Sequence, residues 1–402
     1  MTDRLFPTQE IGSLMKPRWQ LLGQRGEALD TAAQTDFARW NDALHFVPGD
    51  DPMVRKFLGD RSREVGADTV RDWAAQFMIR YLESAGLDRV YDGEARRIEM
   101  YEYPIRQMRG FQFLGHVRSF DNKYYLKAAG TGEIRLDRPY HMEEFEFVRD
   151  HTRAIPKLPI TGPYTLADWS YNEYYLRRHE GWKGREVRRR AQRDFVVDIA
   201  KQAIRPTLAA LIEKGCKVIQ IDEPAAGTHP QEADIVAEGF NAATEGLDAE
   251  FSMHICFSDY RPLFPALLEA KRCKQWAWEF ANRDTEGRDG YEILKMFNEY
   301  GDTRQIGLGV LDPHCDEVES PERVKDRILR AVKILGDPRR IWVNPDCGLK
   351  TRTYLEVEAS LRAMVGATRQ VRAELAPQPG SATTPDVAPR ADLGRGGRTS
   401  SS

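Results

Sequence analysis

The sequence predicts a (β/α)8 TIM barrel carrying insertions, with its chemistry at the C-terminal ends of the strands. Three observations predict it. Eight short apolar runs fall within residues 1–375, longer amphipathic stretches separate them, and nearly all the unusual polar side chains sit where a run ends. A doubly wound open sheet is the alternative. No Gly-x-Gly-x-x-Gly or Walker-type loop follows any run to support it.

The apolar runs lie at 9–13, 89–93, 157–161, 217–222, 250–256, 275–280, 304–310 and 340–345. Helical periodicity fills intervals between them, over 69–85, 185–214, 260–271, 291–300, 321–335 and 354–374. Ser320-Pro321-Glu322 marks a helix start: a capping hydroxyl, a proline in the first turn and an acid at the positive end of the dipole. Gly215 stops the preceding helix just before the fourth run. Residues 111–136 read differently, as a hairpin-like excursion with turns at Asp121-Asn122 and Gly130-Thr131-Gly132. The barrel is expected to span 1–375. Residues 376–402 are rich in Pro, Gly, Ser, Thr and Ala without one aromatic residue, and are expected to form a disordered tail. Ending the chain at about Ala376 should therefore leave melting temperature and activity unchanged. A large drop in melting temperature would show that the terminus docks.

Composition excludes several classes. Against 59 Lys+Arg stand 62 Asp+Glu, a formal charge of -3, so no global footprint for nucleic acid or an anionic membrane exists. No apolar run is long enough to cross a bilayer, and Met1-Thr-Asp-Arg-Leu-Phe-Pro lacks the pattern of a signal peptide. Five cysteines, an odd number, do not make a disulfide framework. A cytoplasmic chain with reduced thiols is the expectation.

His254-Ile255-Cys256 places an imidazole and a thiol on the same face of a strand. Nitrogen and soft sulfur together suit Zn2+. An isolated His-x-Cys is also what a buried cysteine beside a satisfied histidine looks like. Two further features favour metal. Cys347 follows the last apolar run in a turn marked by Asn344-Pro345 and Cys347-Gly348, and Glu279 is a carboxylate in the otherwise apolar Trp276-Ala277-Trp278-Glu279-Phe280. In a closed barrel the ends of strands five, six and eight face one mouth, where a nitrogen, two thiolates and a carboxylate could meet.

Six segments then occur in order: Ile11-Gly12-Ser13, Thr161-Gly162-Pro163-Tyr164-Thr165-Leu166-Ala167-Asp168-Trp169-Ser170, Ile221-Asp222-Glu223-Pro224-Ala225, His254-Ile255-Cys256, Leu311-Asp312-Pro313-His314 and Asn344-Pro345-Asp346-Cys347-Gly348-Leu349-Lys350. Together they resemble the catalytic C-terminal barrel of cobalamin-independent methionine synthase, over about residues 7–370. The resemblance implies zinc held by His254, Cys256, Glu279 and Cys347. It implies homocysteine bound by Ile11, Gly12, Ser13, Glu94 and Asp222, a proton-donating His314, and Trp169 against the ring of the methyl donor. The implied activity is methyl transfer to the homocysteine thiol, giving methionine.

The match departs at the donor end. The family's full-length form carries a second, N-terminal barrel, whereas this sequence reads as the catalytic barrel alone. A folate-contacting Arg-Cys pair has no counterpart in 111–136, and Thr228 stands where the resemblance places an acid. The expected donor is therefore a methylcorrinoid carried by a partner protein, as in single-barrel relatives, or else methyltetrahydrofolate. The basic run from Lys183 to Arg193 reads as a solvated helix face, or as a dock for such an acidic partner. Two rival functions remain: a zinc alkyltransferase acting on another thiol, like epoxyalkane:coenzyme M transferases, and a non-catalytic zinc-binding module.

Overall fold

The computed structural model describes residues 4–118, 124–179 and 184–376. The expected tail, from 377 on, and the Asp121-Asn122 turn lie outside the described residues. Along the chain, β1 (Arg89–Val90) precedes an excursion of β2 (Met108–Arg118) and β3 (Tyr124–Leu136). There follow β4 (Ile155–Pro156), β5 (Leu158–Thr161), β6 (Tyr171–Asn172) and β7 (Val218–Asp222). The last four are β8 (Glu250–Ile255), β9 (Cys273–Trp278), β10 (Gln305–Leu311) and β11 (Ile341–Pro345).

Six of these form a parallel sheet in the order β11-β10-β9-β8-β7-β5. Parallel bridges Thr8–Val343 and Gln9–Arg89 insert the first segment between β11 and β1. Because β1 pairs in parallel with β4, which runs into β5, the ring closes. The fold is the (β/α)8 barrel, and its eight staves coincide with the eight apolar runs. Closure leaves no sheet edge, so the staves are buried on both faces, as the fully buried β7 and β11 are.

The barrel interior is unusually polar. Gln9 Nε2 donates to Gln275 Oε1 (2.7 Å) and Asn344 Oδ1 (3.1 Å), side chains from three different staves. Gly307 makes room for this layer: a Cβ there would lie 2.7 Å from Asn344 Oδ1. These amides share hydrogen bonds, although Gln9 Oε1 and Gln275 Nε2 are left without a hydrogen-bond partner among the described residues.

The outer helices follow their signals where capping chemistry is explicit. Pro321–Leu335 begins where Ser320 accepts from the Arg323 N–H, and Tyr354–Leu375 begins with a capping box between Thr353 and Glu356. The interval 260–271 differs: it holds only 3-10 turns, Arg261–Leu263 and Ala266–Glu269, because Pro262 and Pro265 remove N–H donors a helix would need. In 185–214 the helix widens into a π turn at Ala200–Ile204, just before Pro206. Gly130-Thr131-Gly132 is not a turn. It lies within β3, where residues 131–134 bulge opposite the single residue Gly110, at which a Cβ would meet Glu133 O at 2.4 Å.

Helices Arg18–Gln24, Thr31–Leu44 and Pro52–Leu58, which the periodicity did not reveal, form an insertion after the first stave. They close over an aromatic cluster in which Trp19 meets Phe37 edge-on at 5.0 Å. Arg189 and Arg193 of the basic run pair with Asp234 and Glu238 of the neighbouring helix Ala233–Thr244, as an ordinary charged helix face does. Among the described residues no helix is long and apolar enough to cross a membrane.

Candidate active site

All the predicted site residues come from segments that follow a stave or end one. Ile11, Gly12 and Ser13 leave the first stave, Glu94 follows β1, and Asp222 ends β7. His254 lies in β8 with Cys256 just beyond it; Glu279 follows β9 and Cys347 follows β11. Except for Glu279, every one of them lines a single cavity of about 640 Å³ at that mouth. Trp169 and His314 complete its wall.

Three ligand atoms converge. One donor atom each from His254, Cys256 and Cys347 lies within 4.8 Å of the others. His254 Nδ1 donates to Ala277 O at 2.7 Å, which fixes the ring and leaves Nε2, buried and without a hydrogen-bond partner among the described residues, as the free donor. Hydrogen bonding from Cys256, together with the nearby charge of His254, holds the Cys347 thiol well below the usual range against desolvation. The same bond, with burial, pushes Cys256 well above it. Burial opposes a charge on His254, yet Cys347 and Asp222 raise it to about 9. Two sulfur donors and an imidazole nitrogen, His254 and Cys256 buried and Cys347 half-buried, are a donor set that fits a tetrahedral zinc ion with a position left open.

Glu279 stands beside this trio and is not part of it. Its Oε2 accepts the Phe257 N–H at 2.7 Å, while Oε1 lies 3.8 Å from His314 Nε2. Burial raises its pKa, against His314. His314 in turn packs its ring against Phe257 at 4.4 Å. Asp346, unremarked in the sequence beyond its place in the motif, ties two of these segments together. Its carboxylate accepts the N–H groups of Phe280, Ala281 and Asn282, at 3.0, 3.0 and 2.6 Å. Gly309 admits it, since a Cβ there would lie 1.8 Å from Asp346 Oδ1.

The remaining wall suits a small zwitterion. Gly348 brings the Cys347 turn against the Gly12-Ser13 turn so closely that a Cβ would sit 2.7 Å from Ser13 N. Glu94 holds a left-handed φ of 62°, a strained conformation of the kind that clusters at functional sites. Arg97 Nη1 lies 3.4 Å from Glu94 Oε1. Burial pushes the Asp222 carboxyl up to about 7, opposed by His254 and Gln220. Farther out, Tyr125 and Trp169 make an aromatic wall, their ring centroids 5.5 Å apart. Arg97, Tyr125 and Phe257 line the cavity and were not singled out by sequence reasoning, because they belong to no compact motif.

Comparison with known proteins gives a consistent result. Residues 57–370 match the family described as cobalamin-independent synthase, catalytic domain. A methionine synthase of Thermoplasma volcanium is 40% identical over 378 residues, covering 90% of this chain and 97% of that protein. One from Pyrococcus furiosus is 35% identical over 372 residues, covering 92% and 94%. Among solved structures, a B12-independent methionine synthase from a Shewanella species, in complex with selenomethionine, superposes with a TM-score of 0.69 at 22% identity. It covers 92% of this chain and 99% of that one.

Proposed function

The chain belongs to the cobalamin-independent methionine synthase family, and from that membership we propose that it is a zinc-dependent methyltransferase converting homocysteine to methionine. The observation that carries this reading is the His254–Cys256–Cys347 cluster opening on a cavity walled by Glu94 and Asp222. Zinc at these ligands would keep a coordinated substrate thiol deprotonated and nucleophilic at neutral pH.

The chain's own residues then position the reactants. Backbone groups of the Gly12-Ser13 turn take the homocysteine carboxylate, and Glu94 and Asp222 take its ammonium. The thiolate sulfur forms a bond to the methyl carbon as the bond from that carbon to the donor breaks, the electron pair leaving with the donor atom. Trp169 holds the donor ring. His314, kept near Glu279, supplies a proton where the leaving atom is nitrogen. Glu279 is proposed as the fourth zinc ligand in the free enzyme.

Glu94 and Asp222 favour a thiol that carries an ammonium, whereas Lys16, Arg97 and Lys350 on the same cavity would meet a sulfonate such as coenzyme M, so turnover with each thiol decides between them. Three converging donors with Glu279 as a displaceable fourth would also differ from structural zinc sites, which four fixed protein ligands close. Asp222→Asn is expected to raise the homocysteine KM tenfold to hundredfold with zinc content unchanged, since a charge-assisted contact to ammonium contributes about 1.5–3 kcal/mol. A KM within twofold of the parent would remove Asp222 from the substrate site.

For the donor we propose a methylcorrinoid. Thr228 is exposed and lies outside the cavity lining, so no acid takes the place from which the resemblance would hold a folate. Methyltetrahydrofolate is the second reading. The family's description as cobalamin-independent favours it, as does the aromatic wall of Tyr125 and Trp169. Turnover with each donor, compared side by side, decides between them.

A further inference from the structure

Beneath the proposed substrate site, a side chain that no part of the mechanism uses joins its two halves. Gln220 is fully buried in β7, two residues before Asp222 and so on the same face of the strand. Its Nε2 donates to Ile11 O at 2.8 Å and to Asp222 Oδ1 at 2.7 Å. Its Oε1 accepts from Lys157 Nζ at 2.8 Å. Lys157, 1% exposed, also donates to the Glu10 carbonyl oxygen.

The chemistry of the partners fixes which way the amide points. A lysine ammonium can only donate, whereas a backbone carbonyl and a carboxylate can only accept. Reversing the amide would set two N–H groups against Lys157 and an oxygen against two other oxygens. Lys157 therefore locks Gln220 in the orientation that bridges Ile11 and Asp222. Ile11 carries the turn proposed to hold the substrate carboxylate, and Asp222 is proposed to hold the ammonium. One amide nitrogen thus sets the distance between the two groups that must match an α-amino acid.

We propose that Gln220, oriented by Lys157, is a positioning residue that makes the site selective for an α-amino-acid thiol. The inference rests on the assignment of Ile11, Gly12, Ser13 and Asp222 to homocysteine. It concerns binding of the amino-acid end and not the transfer step. The burial that makes the network effective also lowers the Lys157 pKa to about 8, so its environment is one where an unmatched charge is costly.

The test compares homocysteine with 4-mercaptobutyrate, the same thiol without its amino group. In Gln220→Glu, an isosteric change, one carboxylate oxygen must face Asp222 and Ile11 O. The homocysteine KM should rise about tenfold or more while zinc content and kcat stay near the parent's. The preference in kcat/KM for homocysteine over 4-mercaptobutyrate should collapse by a similar factor. A general loss of structure would lower both substrates together and leave the preference intact, and that result overturns the proposal. The variant Gln220→Met removes the bridge without adding a buried charge and keeps Lys157 beside the buried Glu10, so it serves where Gln220→Glu fails to fold; its preference should collapse likewise. Homocysteine KM values within twofold of the parent in these variants also overturn the proposal. If Asp222→Asn raises the KM while the Gln220 variants do not, this inference alone fails. If none of them does, the homocysteine assignment fails with it.

Discussion

Purified protein is expected to hold about one zinc per chain, and Cys347→Ser to hold less than about a tenth of that, with methyl transfer falling on the order of a thousandfold. The size of the effect follows from the ligand count. Among the described residues three donor atoms converge, and Cys347 is the one whose thiol pKa its neighbours lower. Serine would offer a neutral hydroxyl with a far higher pKa in the same buried place. The remaining His254 and Cys256 cannot make a stable site alone. Cys216→Ser serves as the control. That thiol is buried at the entrance to β7, at the opposite end of the barrel, and should change stability without changing metal content. Unchanged zinc in Cys347→Ser would remove the proposed centre. Glu279→Gln then separates two roles. If the carboxylate ligates, zinc affinity measured by chelator competition should fall about tenfold to hundredfold. Full affinity with impaired turnover would leave Glu279 as the partner of His314 and Phe257 only.

The stave pattern was legible because parallel strands buried on both faces appear as unbroken apolar runs, and every one of the eight was found where a run had been expected. The site was legible for a related reason. Barrel chemistry collects at strand ends, so polar residues that would be costly inside a strand stand out there. What sequence concealed was of two kinds. Prolines in 260–271 overrode an amphipathic pattern by removing donors, and glycines in 130–132 served a bulge although their spacing resembled a turn. Asp346 and Gln220 were concealed because their importance lies in what they meet. Three N–H groups from a different segment, and a lysine from a neighbouring stave, converge on them only after the ring closes. Glu279 shows the converse: an unusual residue that stands out in the sequence and follows β9, but meets Phe257 and His314 rather than the cluster.

With a methylcorrinoid as donor, His314→Ala is expected to keep most of its turnover; with methyltetrahydrofolate as donor, the same variant should lose about a hundredfold or more. The difference lies in the leaving group. A methyl on cobalt departs as the metal takes the electron pair, and no proton is needed. A methyl on nitrogen leaves an amide-like anion unless a proton arrives with the reaction. His314 is placed for that work: it lines the cavity, its Nε2 lies 3.8 Å from Glu279 Oε1, and its ring rests on Phe257. Burial works against its proton, yet Glu279, Cys347 and Asp312 together hold its pKa above the usual histidine value. Measuring wild type and His314→Ala with both donors at saturating homocysteine gives four rates. Fast wild-type turnover with a methylcorrinoid, little changed in the variant, supports the corrinoid reading. Faster turnover with methyltetrahydrofolate, collapsing in His314→Ala, overturns it and assigns the acid role to His314. Both results leave the sulfur nucleophile at the His254–Cys256–Cys347 cluster, because that part of the chemistry is the same whichever atom surrenders the methyl group.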